Sequence, residues 1–318
     1  MLKAIEDKIL RGDAILYSEA VMLLEDSIAL EALMASANRI RIERAGHKLA
    51  LCSIINGKNG QCSEDCKFCA QSVHYETGVD VYEQMPIDKI VETAKSLEKE
   101  GVKRFSIVTS GRSLHPQDMS WLLEAYRALK RETELELCAS HGMLTLEQAK
   151  VLKAIGVTTY HHNLETSRSH YADVCTTHSY EARIETIKNC QRAGLKVCSG
   201  GIFGIDETDV DRIDMAFELK KLEIKSVPIN FLMPISGTPM ALNELPSPER
   251  ILRMLAIYRM ILPDAEIRFA GGRAYLGELV KRGFQGGVNG ALSGNYLTTV
   301  GNTIAQDMAL IRSLGFEV

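Results

Sequence analysis

Leu49-Ala50-Leu51-Cys52-Ser53-Ile54-Ile55 is a short apolar run, and six polar and glycine residues later comes Cys62-Ser63-Glu64-Asp65-Cys66-Lys67-Phe68-Cys69. An apolar run of this length, bounded by Asn and Gly, reads as a buried strand. The loop after it has the spacing C-x3-C-x2-C. Three thiolates on one short loop can hold three irons of a four-iron cluster, whereas ferredoxins supply four cysteines and structural zinc closes four ligands. The fourth iron is then open to a small molecule. A zinc knuckle completed by nearby His74 is the alternative, at spacings that the usual zinc motifs do not use.

The unit of strand, loop and helix repeats along the chain. Further apolar runs are Arg104 to Val108, Leu135 to Ala139, Thr158 to Leu164, Lys196 to Ile202, Val227 to Leu232, Ile267 to Ala270 and Val288 to Leu292. Helices lie between them. Thr145 and Gln148 form a capping box, and Gly156 ends that helix. Ser247-Pro248 opens another, with Ser as N-cap and Pro at the first helical position, and Ile251, Leu255, Tyr258 and Leu262 on its buried face. Ser179 to Ala193 is a third, stopped by Gly194. Strands alternating with helices argue a parallel sheet covered by helices, and eight such units argue an α/β fold of the closed (β/α)8 type. A doubly wound sheet is the runner-up, but its GxGxxG fingerprint is absent. Residues 1–45, rich in good helix formers, read as a helical extension capping a barrel that spans 46–318.

The chain has 318 residues, 46% hydrophobic and 25% charged, with a formal net charge of −4. That composition is ordinary for a globular protein, and the charge gives no nucleic-acid footprint. No window approaches the ~18 apolar residues of a membrane span. The N-terminus is not a secretory signal, and eight cysteines without one point to the cytoplasm, where clustered thiols bind metal or do redox work.

Side chains two apart on a strand share a face. Arg104 therefore goes with Ser106, Glu136 with Cys138, and Lys196 with Cys198. A barrel lumen is usually filled by Val, Ile and Leu. If these faces point inward, something polar must occupy the lumen; if outward, the charges snorkel to water between the helices. Unusual segments also stand where barrel enzymes place their sites, at the C-terminal ends of strands: Thr109-Ser110-Gly111-Arg112, Ser140-His141-Gly142, His161 to Ser167, Cys198 to Gly204, Ser226 to Asn230, and Arg268 to Arg273. Cys190 reads as a packed helix residue and Cys52 as core. His115, His170 and His178 read as polar loop residues.

The cysteine loop, with Phe68 before its last cysteine, resembles that of the radical S-adenosylmethionine (SAM) superfamily. From the cysteine loop to Gly315 the chain resembles one family of it, biotin synthase. The resemblance rests on Cys62 to Ser72, His162-Asn163-Leu164-Glu165-Thr166-Ser167, Lys196-Val197-Cys198-Ser199-Gly200-Gly201-Ile202, Ser226-Val227-Pro228-Ile229-Asn230 and Leu297-Thr298-Thr299. It implies a dimeric barrel enzyme that inserts sulfur into dethiobiotin. Cys62, Cys66 and Cys69 would hold the SAM-binding 4Fe-4S cluster. Asn163 and Glu165 would meet the ribose and amino-acid parts of SAM, and Arg183 its carboxylate. Gly200, Ile202, Gly204 and Glu207 fit the superfamily's GxIxGxxE strand. Asn230 would contact substrate or SAM, and His161 replaces an asparagine that contacts dethiobiotin.

Many members hold a second, sulfur-donating cluster on three cysteines and an arginine. Cys138, Cys198 and Arg268 match, but the third cysteine position is Ser106, a poor iron ligand beside thiolates. The resemblance therefore implies an auxiliary cluster of 2Fe-2S or larger four-iron type with a changed ligand set. Cys175, in the loop after the fourth strand, is the expected replacement. An electron donor such as flavodoxin or ferredoxin is implied as partner. The rivals are a radical SAM mutase or maturase of the methylornithine synthase or hydrogenase-maturase kind, and a non-catalytic iron–sulfur or zinc scaffold.

Overall fold

The structure, a computed structural model, describes residues 1–294 and 302–317. Leu297-Thr298-Thr299 lies outside the described residues. The strands are β1 (Ala50–Lys58), β2 (Arg104–Thr109), β3 (Glu136–Ser140), β4 (Thr159–His161), β5 (Lys196–Cys198), β6 (Gly201–Phe203), β7 (Ser226–Phe231), β8 (Glu266–Phe269) and β9 (Gly290–Leu292). Every pairing between them is parallel, and the Cys198–Ser226 pairing of β5 with β7 closes the sheet into a barrel. The barrel has eight staves, because β5 and β6 are one stave broken at Ser199-Gly200.

The break has a local cause. A Cβ on Gly200 would sit 1.8 Å from the Pro228 carbonyl oxygen, so only glycine allows β7 this close. The chain after β4 then wraps around the same glycine. Asn163 Oδ1 accepts from Gly200 N at 3.1 Å, and the Gly200 carbonyl accepts from the backbone of Leu164 and Glu165. The fourth apolar run therefore stops being a strand at His161 and bends into a loop, with Glu165 at φ 70°.

The outward faces of the staves are apolar: Phe105, Ile107, Leu137, Ala139, Tyr160, Val227, Ile267 and Ala291 are buried beneath the surrounding helices. The lumen is polar. Arg104, Ser106, Cys138, Thr159, Cys198, Ser226 and Arg268 all face the interior cavity, while Glu136 and Lys196 are exposed at the N-terminal ends of their strands. Helix starts follow the sequence signals: Thr145 and Gln148 cap Leu146–Ala154 reciprocally, Ser247 caps Pro248–Ile261, and Ser179 caps Tyr180–Arg192.

The N-terminal helices Leu2–Leu10, Tyr17–Met22 and Leu30–Ala45 pack on Asp209–Lys221 and Pro248–Ile261. Ile5, Ile9, Leu23 and Leu33 share one buried cluster with the barrel. Arg253 clamps this segment by donating to the carbonyls of Leu23, Glu25 and Ile28. No helix among the described residues is long and apolar enough to cross a membrane.

Candidate active site

The cysteine loop lies across the C-terminal mouth of the barrel and is held by its own backbone. Cys62 N donates to Gln71 O at 3.0 Å, Val73 N to Cys62 O at 2.9 Å, and Cys69 N to Cys66 O at 2.9 Å. Ser72 Oγ donates to Glu64 O at 2.6 Å. The thiols of Cys62, Cys66 and Cys69 all line a cavity of about 440 Å³. Burial pushes the Cys69 thiol up to about 11 and raises that of Cys62. Such thiols give up their protons to a metal centre rather than to water. His74 is exposed, with its ring on the Ser63 carbonyl at 3.0 Å. It does not complete a zinc knuckle.

Asp65, inside this loop, ties it to the segment after β4. Its carboxylate accepts from the backbone N–H groups of Thr176 (2.9 Å) and Thr177 (3.1 Å), from the hydroxyls of both threonines, and from Cys175 Sγ at 3.2 Å. Burial opposes ionisation of Asp65, but these donors hold its carboxyl well below the usual range. Lys67 N donates to Val174 O at 3.0 Å, and Glu64 pairs with the buried His178 ring. As a result Cys175 does not join Cys138 and Cys198. It stands against Cys66 and His178, the three ligand atoms lying within 4.8 Å of one another. The expectation that Cys175 replaces the missing auxiliary thiolate is thus corrected, because the Asp65 contacts fold that loop over the mouth and away from the lumen. His178, which reads as a polar loop residue, is buried here as part of the same brace.

On the facing wall, Arg183 is buried and donates Nη1 to Asn163 O at 3.0 Å and to Glu165 Oε1 at 3.4 Å, and Nε to Tyr171 OH at 2.6 Å. Desolvation works against its charge, but Glu165, Tyr171 and Cys66 together outweigh it and hold the guanidinium protonated. Asn163 Nδ2 donates to Glu165 Oε2 at 3.2 Å. Asn163, Glu165, Arg183, Ile202 and Asn230 line the same cavity as the cysteine loop. Asn230 straps the mouth, with Nδ2 donating to Gly201 O at 3.1 Å and Oδ1 accepting from Gly271 N at 2.9 Å. Glu207 accepts from the backbone of Gly204 and Ile205 and from Arg212 Nε at 2.6 Å. It secures the end of β6 and does not line the cavity.

Deeper in the same cavity are Cys52, Cys138, Cys198 and Arg268. Cys52, whose sequence context reads as core, accepts from Arg268 Nη1 at 2.5 Å, and Arg268 Nη2 pairs with Glu266 at 2.7 Å. Burial pushes the Cys138 thiol up to about 12. It raises Cys52 and Cys198 as well, with the Arg268 charge pulling the other way. Below them Arg104 closes the floor, its two Nη atoms on Glu266 at 2.6 and 2.9 Å and its Nε on Glu136 at 3.0 Å.

Two buried atoms in this region have no hydrogen-bond partner: Ser106 Oγ and Arg268 Nε. Buried polar atoms are normally satisfied, so a polar or metal group between them fits the lumen. The three deep sulfurs are not gathered within 4.8 Å of one another as the atoms of Cys66, Cys175 and His178 are. That spread is too wide for one tetrahedral ion with bonds of about 2.3 Å to sulfur and suits a cluster of several irons.

The histidines of this wall are neutral. Burial lowers His161 to about 4 and His141 to about 3. His141 is braced between Thr109 Oγ1 at 3.0 Å and Tyr126 OH at 2.9 Å, which leaves its ring no free nitrogen for proton transfer. Cys190 is fully buried on the helix Tyr180–Arg192.

The profile described as Radical SAM superfamily matches residues 59–219, and that of the Biotin and Thiamin Synthesis associated domain matches 228–317. A biotin synthase of Acetivibrio thermocellus is 49% identical over 317 residues, covering 100% of this chain and 99% of its own length. One from Clostridioides difficile is 47% identical, covering 99% and 98%. Among solved structures, an FeFe-hydrogenase maturase from Carboxydothermus hydrogenoformans superposes with a TM-score of 0.83 at 18% identity, over 99% of this chain and 78% of its own. A methylornithine synthase also gives 0.83, at 19% identity over 98% and 96%. At those identities the two structures establish the fold alone.

Proposed function

The chain belongs to the biotin synthase family of radical SAM enzymes, and from that premise we propose that it inserts sulfur into dethiobiotin, using SAM, a 4Fe-4S cluster on Cys62, Cys66 and Cys69, and a second cluster in the lumen at Cys138, Cys198 and Arg268. The observation that carries this reading is the single cavity shared by both cysteine sets. Bound there, the two clusters supply an electron for cleaving SAM and a sulfide for trapping the substrate carbon.

The chain's own residues bind, orient and exclude water. Arg183, kept charged by Glu165, Tyr171 and Cys66 together, offers a cation to the SAM carboxylate. Asn163 and Glu165 offer an amide and carboxylate oxygens to ribose and amino-acid groups. The positive φ of Glu165 turns that carboxylate toward the cavity wall it shares with Arg183. Ile202 offers an apolar wall to the adenosine end, and Gly200 holds the Asn163–Glu165 segment in place behind it. His161, neutral at the pH of the cell, and Asn230 offer hydrogen bonds to the ureido end of dethiobiotin. The salt-bridged floor of Arg104 and Glu266 closes the lumen from below, which keeps reactive carbon away from bulk water. A flavodoxin- or ferredoxin-type donor, a cytoplasmic setting and a homodimer complete the proposal.

The test is anaerobic turnover with SAM, a low-potential reductant and dethiobiotin. Biotin should form, with about two SAM cleaved per product. Replacing Cys62, Cys66 and Cys69 together by Ala should abolish 5′-deoxyadenosine formation while leaving the lumen iron in place. Deoxyadenosine formation that ignores dethiobiotin, with no biotin, would overturn the substrate. Undiminished cleavage in the triple variant would overturn the site.

A further inference from the structure

We infer that Cys52 is a thiolate ligand of the lumen cluster, completing a four-residue set with Cys138, Cys198 and Arg268, and that Ser106 is not a ligand. The inference rests on the second cluster proposed above and specifies its protein shell.

The ladder registers carry it. Cys52 pairs with Arg104, and Arg104 with Glu136, so Cys138 stands two residues further up its stave than the direct partner of Cys52. Cys138 pairs with Thr159, and Thr159 with Lys196; Cys198 is again two residues further up. Cys198 pairs with Ser226, and Ser226 with Glu266; Arg268 is two further. Arg268 pairs with Gly290, and Gly290 with Ala50, which returns to Cys52 after a last climb of two. Four climbs of two residues equal the shear of 8 that closes a (β/α)8 barrel. In such a barrel, side chains from alternate staves lie in one layer, four to a layer. Cys52, Cys138, Cys198 and Arg268 are one such layer, on the first, third, fifth and seventh staves.

The same count puts Ser106 on an even stave, in the next layer up with His161, Pro228 and Leu292. The layer below holds Arg104, Thr159, Ser226 and Gly290. Ser106, Thr159, Ser226 and Gly290 are small, so the centre of the lumen is open where the three sulfurs point. A layer that other barrels fill with branched aliphatics here carries three thiols and a guanidinium.

The alternative for Cys52 is a packing role. A packed cysteine sits among apolar groups, whereas Cys52 faces the cavity and the Arg268 guanidinium. Arg268 is only 3% exposed, and its Nε has no partner. A buried charged group with an unused donor, beside three thiols in one layer, is built to meet an anionic sulfide-bearing group.

The experiment compares wild type with Cys52→Ala, Cys138→Ala, Ser106→Ala and Cys190→Ala, each reconstituted anaerobically. Iron and sulfide are counted, and Mössbauer spectra separate the lumen cluster from the SAM cluster. Cys52→Ala and Cys138→Ala should both fall to the iron of the SAM cluster alone, about four per chain, and lose the lumen spectrum. Their SAM-cluster signal and reductive SAM cleavage should persist, which shows that the variants fold. Ser106→Ala and Cys190→Ala should keep the full iron content. If Cys138→Ala loses the lumen iron but Cys52→Ala keeps it with an unchanged spectrum, Cys52 is not a ligand and the inference fails while the cluster stands. If wild type itself holds no iron beyond the SAM cluster, the second cluster fails and the inference with it. Should Cys52→Ser but not Cys52→Ala retain a perturbed lumen spectrum, ligation at position 52 is supported directly.

Discussion

Removing the Asp65 carboxylate should loosen the cysteine loop without touching a single cysteine. Five donors converge on that group, two of them backbone N–H groups of Thr176 and Thr177. A hydrogen bond to a charged group is worth about 1.5–3 kcal/mol, and the bonds are not additive because they share one acceptor. Asp65→Ala therefore costs about 3 kcal/mol of local anchoring, which is about 100-fold in the population of the open loop. The remaining anchors, Lys67 N on Val174 O and Glu64 on His178, keep the loop from detaching outright. The assay follows the EPR signal of the reduced SAM cluster while an iron chelator is present under anaerobic conditions. In Asp65→Ala the signal should decay about 100-fold faster than in wild type, while freshly loaded protein still cleaves SAM. Asp65→Asn keeps one oxygen for the two backbone N–H groups and should lie between, about tenfold faster than wild type. If both variants lose the signal at the wild-type rate, the Asp65 brace does not govern cluster retention and the reasoning is wrong.

Gly200→Ala would drive a Cβ to within 1.8 Å of the Pro228 carbonyl oxygen, and the next residue is hemmed in as well, since a Cβ on Gly201 would meet Glu165 O at 2.3 Å, so the chain has little room to shift locally; a loss of about 3 kcal/mol and about 6 °C in Tm is expected, read by thermal unfolding together with weakened SAM binding. At the N-terminal helices, Glu6 bonds Arg39 at 2.6 and 2.9 Å and Ser36 at 2.6 Å, and the Arg39 bond lowers its carboxyl from 4.5 to about 2. A lowered folded-state pKa stabilises above 4.5, and the gain is lost as pH falls toward 2. Because Arg39 is half exposed, Glu6→Gln should cost only about 1–2 kcal/mol near neutral pH, in urea unfolding, and the gap between the two proteins should close as the pH is lowered through that window.

The eight strand runs, the order of helices between them and the caps at Thr145, Ser179 and Ser247 were legible in the sequence, because periodicity and capping act between residues close in the chain. The C-x3-C-x2-C loop was legible for the same reason: its three thiols lie within eight residues of one another. Even the polar lumen could be anticipated from residues two apart, since alternation is a local property of a strand.

What the sequence could not decide is which cysteines share a height in the barrel. Cys175 looked well placed because its loop follows the fourth stave, between those of Cys138 and Cys198; only the tertiary contacts of Asp65 with Thr176 and Thr177 show that the loop folds outward onto Cys66. Cys52 looked like core, since nothing in Leu51-Cys52-Ser53 says which face is inward. Its partners are 86, 146 and 216 residues away in the chain — Cys138, Cys198 and Arg268 — and they meet it because every stave is offset from its neighbour by the shear of the closed sheet. That offset is a property of closure, set by all the ladders at once, so no single segment encodes it.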